Sequence, residues 1–366
     1  LLDCHMPQLH FIFLFFITIK LCFALYYYLR LAIYRLPLRD NQNKADSISI
    51  SAIICYHNES ENISQSLDGL FNQSYNKLEI VLVDDLSSDN TYDQLIKFSG
   101  HNSIVAQNHT PNLGKKLALT KGINTATQKW LLLTDADCIV PKDWAKTMAS
   151  YAENHKIVLG YAPLNKSKTL AGKFARYETY YTALQYLSFA LAGRPYMGVG
   201  RNLMYHRSIF DVANGFSTHN DIASGDDDLL INYTANSKNT AICIDPDSFV
   251  YSLGKETFSS FIRQKTRHIS SSHKYRWLDK VLLGVSSITQ IGLYMSAFFL
   301  LFLPSNLWLM ALLAYWALML IIQYPICKKL HSMDLWLLFP VYDIAMAIYY
   351  FIMIPFVFIK KQNSWS

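Results

Sequence analysis

Charge is scarce in this chain. Only 16% of its 366 residues are Asp, Glu, Lys or Arg, against about a quarter in a typical soluble domain, and mean hydropathy is positive at +0.12. A disordered chain needs the opposite composition, and an entirely water-soluble protein is disfavoured as well. The shortage is local: residues 281–359 hold four charges (Lys328, Lys329, Asp334 and Asp343), whereas residues 40–280 hold 49. Paired cysteines are also missing. Cys4, Cys22, Cys55, Cys138, Cys243 and Cys327 include no CxxC and mostly lie in apolar runs, so reduced buried thiols are expected, not a disulfide scaffold or a zinc site. There is no GxxxxGK[ST] or GxGxxG run, and Gly198-Val199-Gly200 stands alone; ATPase and dinucleotide-binding readings lose their main support. His101, His109, His155, His219 and His273 show no HxxxH or HExxH spacing and are expected on the surface or in loops. No basic-aromatic module accompanies the net charge of +6, so nucleic acid is not an expected partner.

What the chain does have is long apolar runs. Leu9 to Leu36 exceeds a signal-peptide core of about 7–15 residues, no small-residue cleavage site comes after it, and it is long enough to span a bilayer. Lys20 near its middle costs about 2.5–3.5 kcal/mol unless it snorkels or finds a partner. Val281–Leu303, Leu307–Cys327 and Leu335–Ile359 are further candidates, with Pro304-Ser305-Asn306 as a turn between the first two. Basic residues gather beside these runs: Arg30, Arg35, Arg39 and Lys44, then Arg263 to Lys280, then Lys328-Lys329. The positive-inside tendency therefore places the intervening block in the cytoplasm, its basic flanks against anionic membrane lipid. Four full spans would leave Lys360-Lys361 outside, against that tendency, so the last segment, with Pro340, Asp343 and Pro355, is a candidate for a broken or re-entrant helix. The expected organisation is a membrane helix over 9–36, a soluble domain over 47–280 with interfacial helices toward its end, and a membrane region of three helices over 281–360.

Within the soluble block, short apolar runs alternate with amphipathic ones. Strands are expected over 47–56, 78–83, 104–106 and 130–133, and helices over 61–71, 92–98, 114–126 and 141–151. That alternation predicts an α/β fold with right-handed βαβ crossovers and a mostly parallel sheet. Ligands of such sheets sit beyond the carboxyl ends of the strands. Three polar clusters fall there: His57-Asn58-Glu59, Asp84-Asp85, and Asp135-Ala136-Asp137. One acidic residue after a strand is an ordinary turn or cap; three clusters on one edge point to a site. Asp135 and Asp137 can both reach one hard divalent cation of the Mg2+ or Mn2+ type, which keeps open positions for phosphate oxygens.

These segments resemble the membrane-bound glycosyltransferases of family 2, both the processive and the lipid-modifying kinds. The carrying residues are ICYHNES (54–60), VDDLSSDNT (83–91), NLGKKLAL (112–119), LLTDADC (132–138), GVGRNLMY (198–205), SGDDDLL (224–230) and QKTRH (264–268). The resemblance implies a Rossmann-like GT-A fold over roughly 47–280. It implies that Glu59, Asp84 and Asp85 hold the base or ribose of a UDP-sugar, that Lys115 lies near the nucleotide, and that Asp135 and Asp137 form the DxD motif holding metal and diphosphate. It further implies that Asp226-Asp227-Asp228 carries the general base, and that Gln264, Arg267 and His268 match a QxxRW motif near acceptor and diphosphate. The base is Asp227, or Asp226 on a one-residue shift. His268 departs from the family's Trp, which puts the acceptor's identity and a long polymer channel in doubt. Arg201-Asn202 falls either against the acceptor or in a structural turn, and the aromatic run 174–189 is either core or an interfacial helix. The function expected is inverting, metal-dependent transfer of a sugar from a nucleotide-sugar to a lipid-linked or glycan acceptor, by an integral protein of the cell membrane with a cytoplasmic active site. Processive synthesis with export is the close alternative. A non-catalytic nucleotide-binding transporter or scaffold is the alternative from another class, suggested by Lys20 and Asp343 inside apolar runs.

Overall fold

The computed structural model describes residues 2–37, 48–100, 102–108, 114–220, 222, 224–304 and 306–358. Arg39, Lys44, His101, His109, Asn112, Ser305 and Lys360-Lys361 lie outside the described residues. Seven strands form one sheet in the order β3-β2-β1-β4-β7-β6-β8. They are β1 (Ile50–Tyr56), β2 (Leu78–Asp84), β3 (Ser103–Gln107), β4 (Trp130–Asp135), β6 (Ile157–Gly160), β7 (Leu203–His206) and β8 (Thr240–Cys243); β5 (Cys138–Ile139) pairs separately with β9 (Tyr251–Ser252). Every pairing in the large sheet is parallel except those of β7, which runs antiparallel to both neighbours. The chain reverses its direction of winding beside β1: β2 and β3 lie on one side and β4 on the other. Such a switch point opens a crevice at the carboxyl edge.

Register aligns the polar clusters on that edge. Tyr56 pairs with Asp84, Asp84 with Gln107, and Cys55 with Asp135. The strands hold their places because alternate side chains enter two different cores. Ile50, Ala52, Ile54 and Tyr56 of β1 pack with Ile63, Leu67 and Leu70 of helix α2 (Ile63–Phe71) and with Trp144 and Met148 of α4 (Trp144–Ser150). Ile53 faces the other core, which holds Ala118, Leu119 and Ile123 of α3 (Lys115–Thr125) and much of α5 (Leu170–Leu191).

The second core runs without a break into four helices long and apolar enough to cross a membrane. The first, α1, lies before the sheet: Leu2–Phe23 passes through a π-helical turn at Ala24–Tyr28 into Leu29–Ile33. The others are α7 (Trp277–Leu300), α8 (Leu307–Lys329) and α9 (Phe339–Phe358), preceded by the amphipathic α6 (Phe258–Ile269). The aromatic run 174–189 belongs to α5 and is core: Tyr177, Tyr180, Tyr181 and Tyr186 are buried, Tyr27 stacks on Phe189 at 4.0 Å and Tyr177 on Tyr342 at 4.3 Å. α5 thus joins the sheet to the apolar helices. The last apolar segment is a short turn of helix (Met333–Trp336) and then one continuous helix from Phe339; Pro340 sits at its start, where a missing N–H costs nothing. Lys329 donates from Nζ to the carbonyls of Leu31 and Ala32, fixing the ends of α1 and α8 on the same side.

Candidate active site

A cavity of about 1090 Å³ opens at the carboxyl edge of the sheet. Its polar floor is built by loops that the strands deliver. Asp135 ends β4 and Asp137 lies just beyond it; Asp226, Asp227 and Asp228 lie between β7 and β8, Asp228 being the first residue of a short helix (Asp228–Thr234). Lys115, the first residue of α3, bridges the two loops, with Nζ 2.8 Å from Asp135 Oδ1 and 3.0 Å from Asp226 Oδ2.

The three consecutive aspartates have three different environments. Asp226 is buried, which pushes its carboxyl up, but the Lys115 ammonium, the backbone and Lys116 together hold it below the usual range. Asp227 accepts the backbone N–H of Gly200 at 2.6 Å and that of Asp228 at 2.7 Å. Enclosure, and after it the charges of Asp226 and Asp228, pushes its carboxyl up to about 7. Asp228 accepts hydrogen bonds from the Ser271 and Tyr275 hydroxyls and from Leu229 N–H, and holds its own helix rather than a ligand. All three line the cavity, but Asp226 and Asp228 are buried and Asp227 is only half-buried; with its pKa up at about 7, Asp227 is suited to taking a proton near neutrality.

Asp137 also opens onto the cavity, and its carboxyl is raised by enclosure and then by the neighbouring Asp135 charge, with Arg201 opposing. A carboxylate raised by its neighbour's charge is short of positive charge. Among the described residues no three His, Cys, Asp or Glu side chains gather as a ready-made metal centre. The two neighbouring carboxylates, Asp135 and Asp137, would suit a hard cation that completes its sphere with water and phosphate oxygens.

Other expected residues divide. Glu59 lines the cavity, its Oε2 accepting Asn62 Nδ2 at 2.9 Å, and its carboxyl is raised chiefly by desolvation. Gln264, Arg267 and His268 line it from α6. His268 is exposed toward the cavity, and desolvation, then the cations Lys265, Arg267, Lys115 and Arg201, push its imidazole below its ordinary value. Asp85 does not share the cavity with Asp137 and Asp227. It is fully buried, accepting Asn108 Nδ2 at 2.7 Å and Gly114 N–H at 3.2 Å, and so anchors the start of α3, which presents Lys115. Asp84 is fully buried beside it; Oδ2 accepts Gln107 Nε2 at 3.2 Å, while Oδ1 has no donor among the described residues. Like Asp85, Asp84 is not among the residues that line the cavity. The Arg201-Asn202 pair splits as well: Arg201 lines the cavity, whereas Asn202 is structural, receiving Trp144 Nε1 at 2.9 Å and donating to the carbonyls of Tyr161 and Ser248.

Sequence reasoning missed Gly200. A lone GxG without a phosphate motif carries little signal, yet the Gly200 N–H orients Asp227, and a Cβ there would lie 3.3 Å from both Asp227 Oδ2 and Lys115 Nζ. It also missed Glu178 of α5, which pairs with Lys265 of α6 inside the cavity; no local pattern marks that pair.

Against this geometry, residues 51–212 match the family model described as Glycosyl transferase family 2. Over those residues, somewhat less than half of its length, the chain is similar to the family 2 glycosyl transferases. The chain is similar to poly-beta-1,6-N-acetyl-D-glucosamine synthases: 26% identical to that of Staphylococcus aureus (strain COL) over 255 residues, 68% of this chain and 60% of the relative, and 24% identical to that of Staphylococcus epidermidis over 230 residues, 62% and 55% respectively. The chain therefore spans about 60% of the length of these curated relatives. Among solved structures, mannosyltransferase PcManGT from Pyrobaculum calidifontis, in complex with GDP-Man and Mn2+, superposes with a TM-score of 0.56 at 20% identity, covering 94% of this chain and 99% of that one. That likeness extends the shared fold through the long helices flanking the matched residues.

Proposed function

We propose that the chain is a membrane-bound, inverting glycosyltransferase that moves a sugar from a nucleoside-diphosphate donor, UDP-linked in the first instance, to a lipid-linked or glycan acceptor. The observation that carries this reading is the convergence of Asp135, Asp137 and Asp227 on one cavity that continues among the long apolar helices. Asp135 and Asp137 would hold Mg2+ or Mn2+, which supplies charge neutralisation for the donor diphosphate when bound. Arg267 and Gln264 add positive and hydrogen-bonding groups on the same wall, suited to stabilising the departing diphosphate. Asp227 takes the proton of the acceptor hydroxyl as its oxygen bonds to the anomeric carbon, while the carbon–oxygen bond to the diphosphate breaks on the opposite face. An α-linked donor then gives a β-linked product.

The basic residues Arg30, Arg35 and Lys328-Lys329 flank the ends of the apolar helices nearest the transferase domain, which supports an integral membrane protein with its domain on the cytoplasmic side. Processive synthesis is the second reading, favoured by the names of the two staphylococcal relatives. The scaffold alternative loses its motive, because Lys20 and Asp343 satisfy one another through Gln290. The test is donor turnover by the purified full chain with UDP- and GDP-sugars, with and without Mn2+, and the size of a radiolabelled product. One added sugar marks single transfer and a ladder marks processive synthesis; no turnover with any donor overturns the transferase reading.

A further inference from the structure

The carboxylate floor occupies only one end of the cavity. α6 crosses it lengthwise. Near the start of α6, Phe261 packs on Tyr349 of α9, with ring centroids 5.8 Å apart. Near its end, the Arg267 carbonyl accepts Ser224 Oγ at 3.0 Å, next to the Asp226–Asp228 loop. One end of α6 therefore lies among the apolar helices and the other beside the proposed base. Beyond it the cavity continues as an arm between α7 and α9. The lining residues of α7 recur at three- and four-residue spacing, Lys280, Leu283, Gly284, Ser287, Ile288 and Ile291, a single stripe of one helix. Met353 and Ile354 of α9 complete the arm. Ile288 and Ile354 are 63% and 43% exposed, so the arm is not sealed from the side that a bilayer would cover.

The arm is mostly apolar along its length, with Ser287, Tyr349 and Tyr350 among its walls, and cationic at its head. Lys280 stands one turn before Gly284, and Arg263 lies one turn before Arg267 on α6. Lys265, between the two arginines, is already paired with Glu178. Arg263, Arg267 and Lys280 have no carboxylate ion pair among the described residues. Two like charges one helical turn apart repel unless an anion lies against them. A neutral glycan would leave the cations unpaired and set most of its hydroxyls against a largely apolar wall with few groups to answer them. An anionic amphiphile meets both demands.

We propose that this arm holds the apolar chain of an anionic lipid acceptor, whose phosphate lies against Arg263 and Lys280 and whose hydroxyl-bearing head reaches toward Asp227, Arg267 being left to the donor diphosphate. The inference rests on the transferase reading and narrows its acceptor to a lipid phosphate. Gly284 gives it a specific handle: a Cβ placed there meets nothing within 4 Å, so a larger side chain extends into the arm without displacing its neighbours.

The experiment is native mass spectrometry of the purified full chain in a neutral maltoside detergent, with dodecyl phosphate as the probe. One molecule of dodecyl phosphate should be retained and should not be displaced by inorganic phosphate or by a chitin tetrasaccharide. Gly284→Leu and the double variant Arg263→Gln/Lys280→Gln should each weaken retention by about tenfold, the equivalent of about 1.4 kcal/mol, while UDP binding with Mn2+ stays at the wild-type level in Gly284→Leu. Displacement by inorganic phosphate assigns the cations to the donor diphosphate and overturns the proposal. So does tetrasaccharide binding that is lost in Gly284→Leu, which makes the arm a glycan path, and so does retention unchanged in both variants. Loss of UDP binding and turnover in the wild type is a separate failure, that of the transferase reading itself.

Discussion

The Asp227 carboxylate accepts the Gly200 backbone N–H at 2.6 Å, across 27 positions of chain. A second N–H, from Asp228, binds its other oxygen at 2.7 Å. Two fixed donors hold the carboxylate in place, yet enclosure and the adjacent carboxylates keep its pKa up at about 7. A base works in its deprotonated form, so turnover should be lost as pH falls through about 7 and level off above it. Asp227→Asn should lower kcat by about 10²–10⁴-fold, the usual range for loss of a positioned base, while donor binding survives. Equal loss of binding and turnover would move the base elsewhere, Asp226 first.

Lys115 sets the charge balance of the floor. Burial works against its ammonium, but Asp135, Asp226 and Asp227 outweigh that cost and raise its pKa. It lowers the pKa of both Asp226 and Asp227 in turn. Replacing it, as in Lys115→Gln, should shift the acid limb of the pH–rate profile to higher pH, because the base then ionises without a nearby cation. A limb that stays in place or moves to lower pH contradicts this role, whatever the change in maximal rate.

Asp135 and Asp137 should separate from Asp85 in the consequences of their loss. Asp135→Ala and Asp137→Ala should weaken Mn2+-dependent UDP binding at least tenfold, about 1.4 kcal/mol, with little change in melting temperature in the ligand-free protein. Asp85→Ala removes the acceptor for Asn108 and Gly114 and should cost stability of about 1–3 kcal/mol. Calorimetry with UDP and Mn2+ beside ligand-free melting distinguishes the two classes. Equal destabilisation by all three variants removes the metal-holding assignment.

The legible part of this chain is its edge chemistry. Short apolar runs such as 50–56 and 78–84 read as buried strands, and a parallel sheet gathers the residues at the carboxyl end of each strand on one side; hence Asp135, Asp137 and the end of β2 come out together. Residue spacing does not tell which way a carboxylate turns. Asp85 points inward because Asn108 and Gly114, from a later loop, supply its donors, and Gly200 gains its role only when β7 is set antiparallel beside β4. The aromatic run 174–189 suits core and interface equally on sequence grounds because α5 touches both the sheet and the apolar helices, leaving almost no polar face. Lys20 is a defect in an apolar run until its partners, 270 and more residues away, come into place.

Those partners lead to the last expected outcome. Lys20 donates to Gln290 Oε1, and Gln290 Nε2 donates to Asp343 Oδ1 at 2.8 Å. Asp343 Oδ2 accepts the hydroxyls of Tyr294 and of Tyr315, the latter at 3.1 Å. One carboxylate thus ties all four long helices together, and Lys20, Gln290 and Asp343 are buried. Taking away one charge leaves the other in an apolar setting, at a cost of about 3–5 kcal/mol, whereas removing both can be close to neutral. Lys20→Met should therefore lower the melting temperature in detergent sharply, and adding Asp343→Asn should recover much of the loss. If the double variant melts at or below the single one, the two charges are not compensating each other across Gln290.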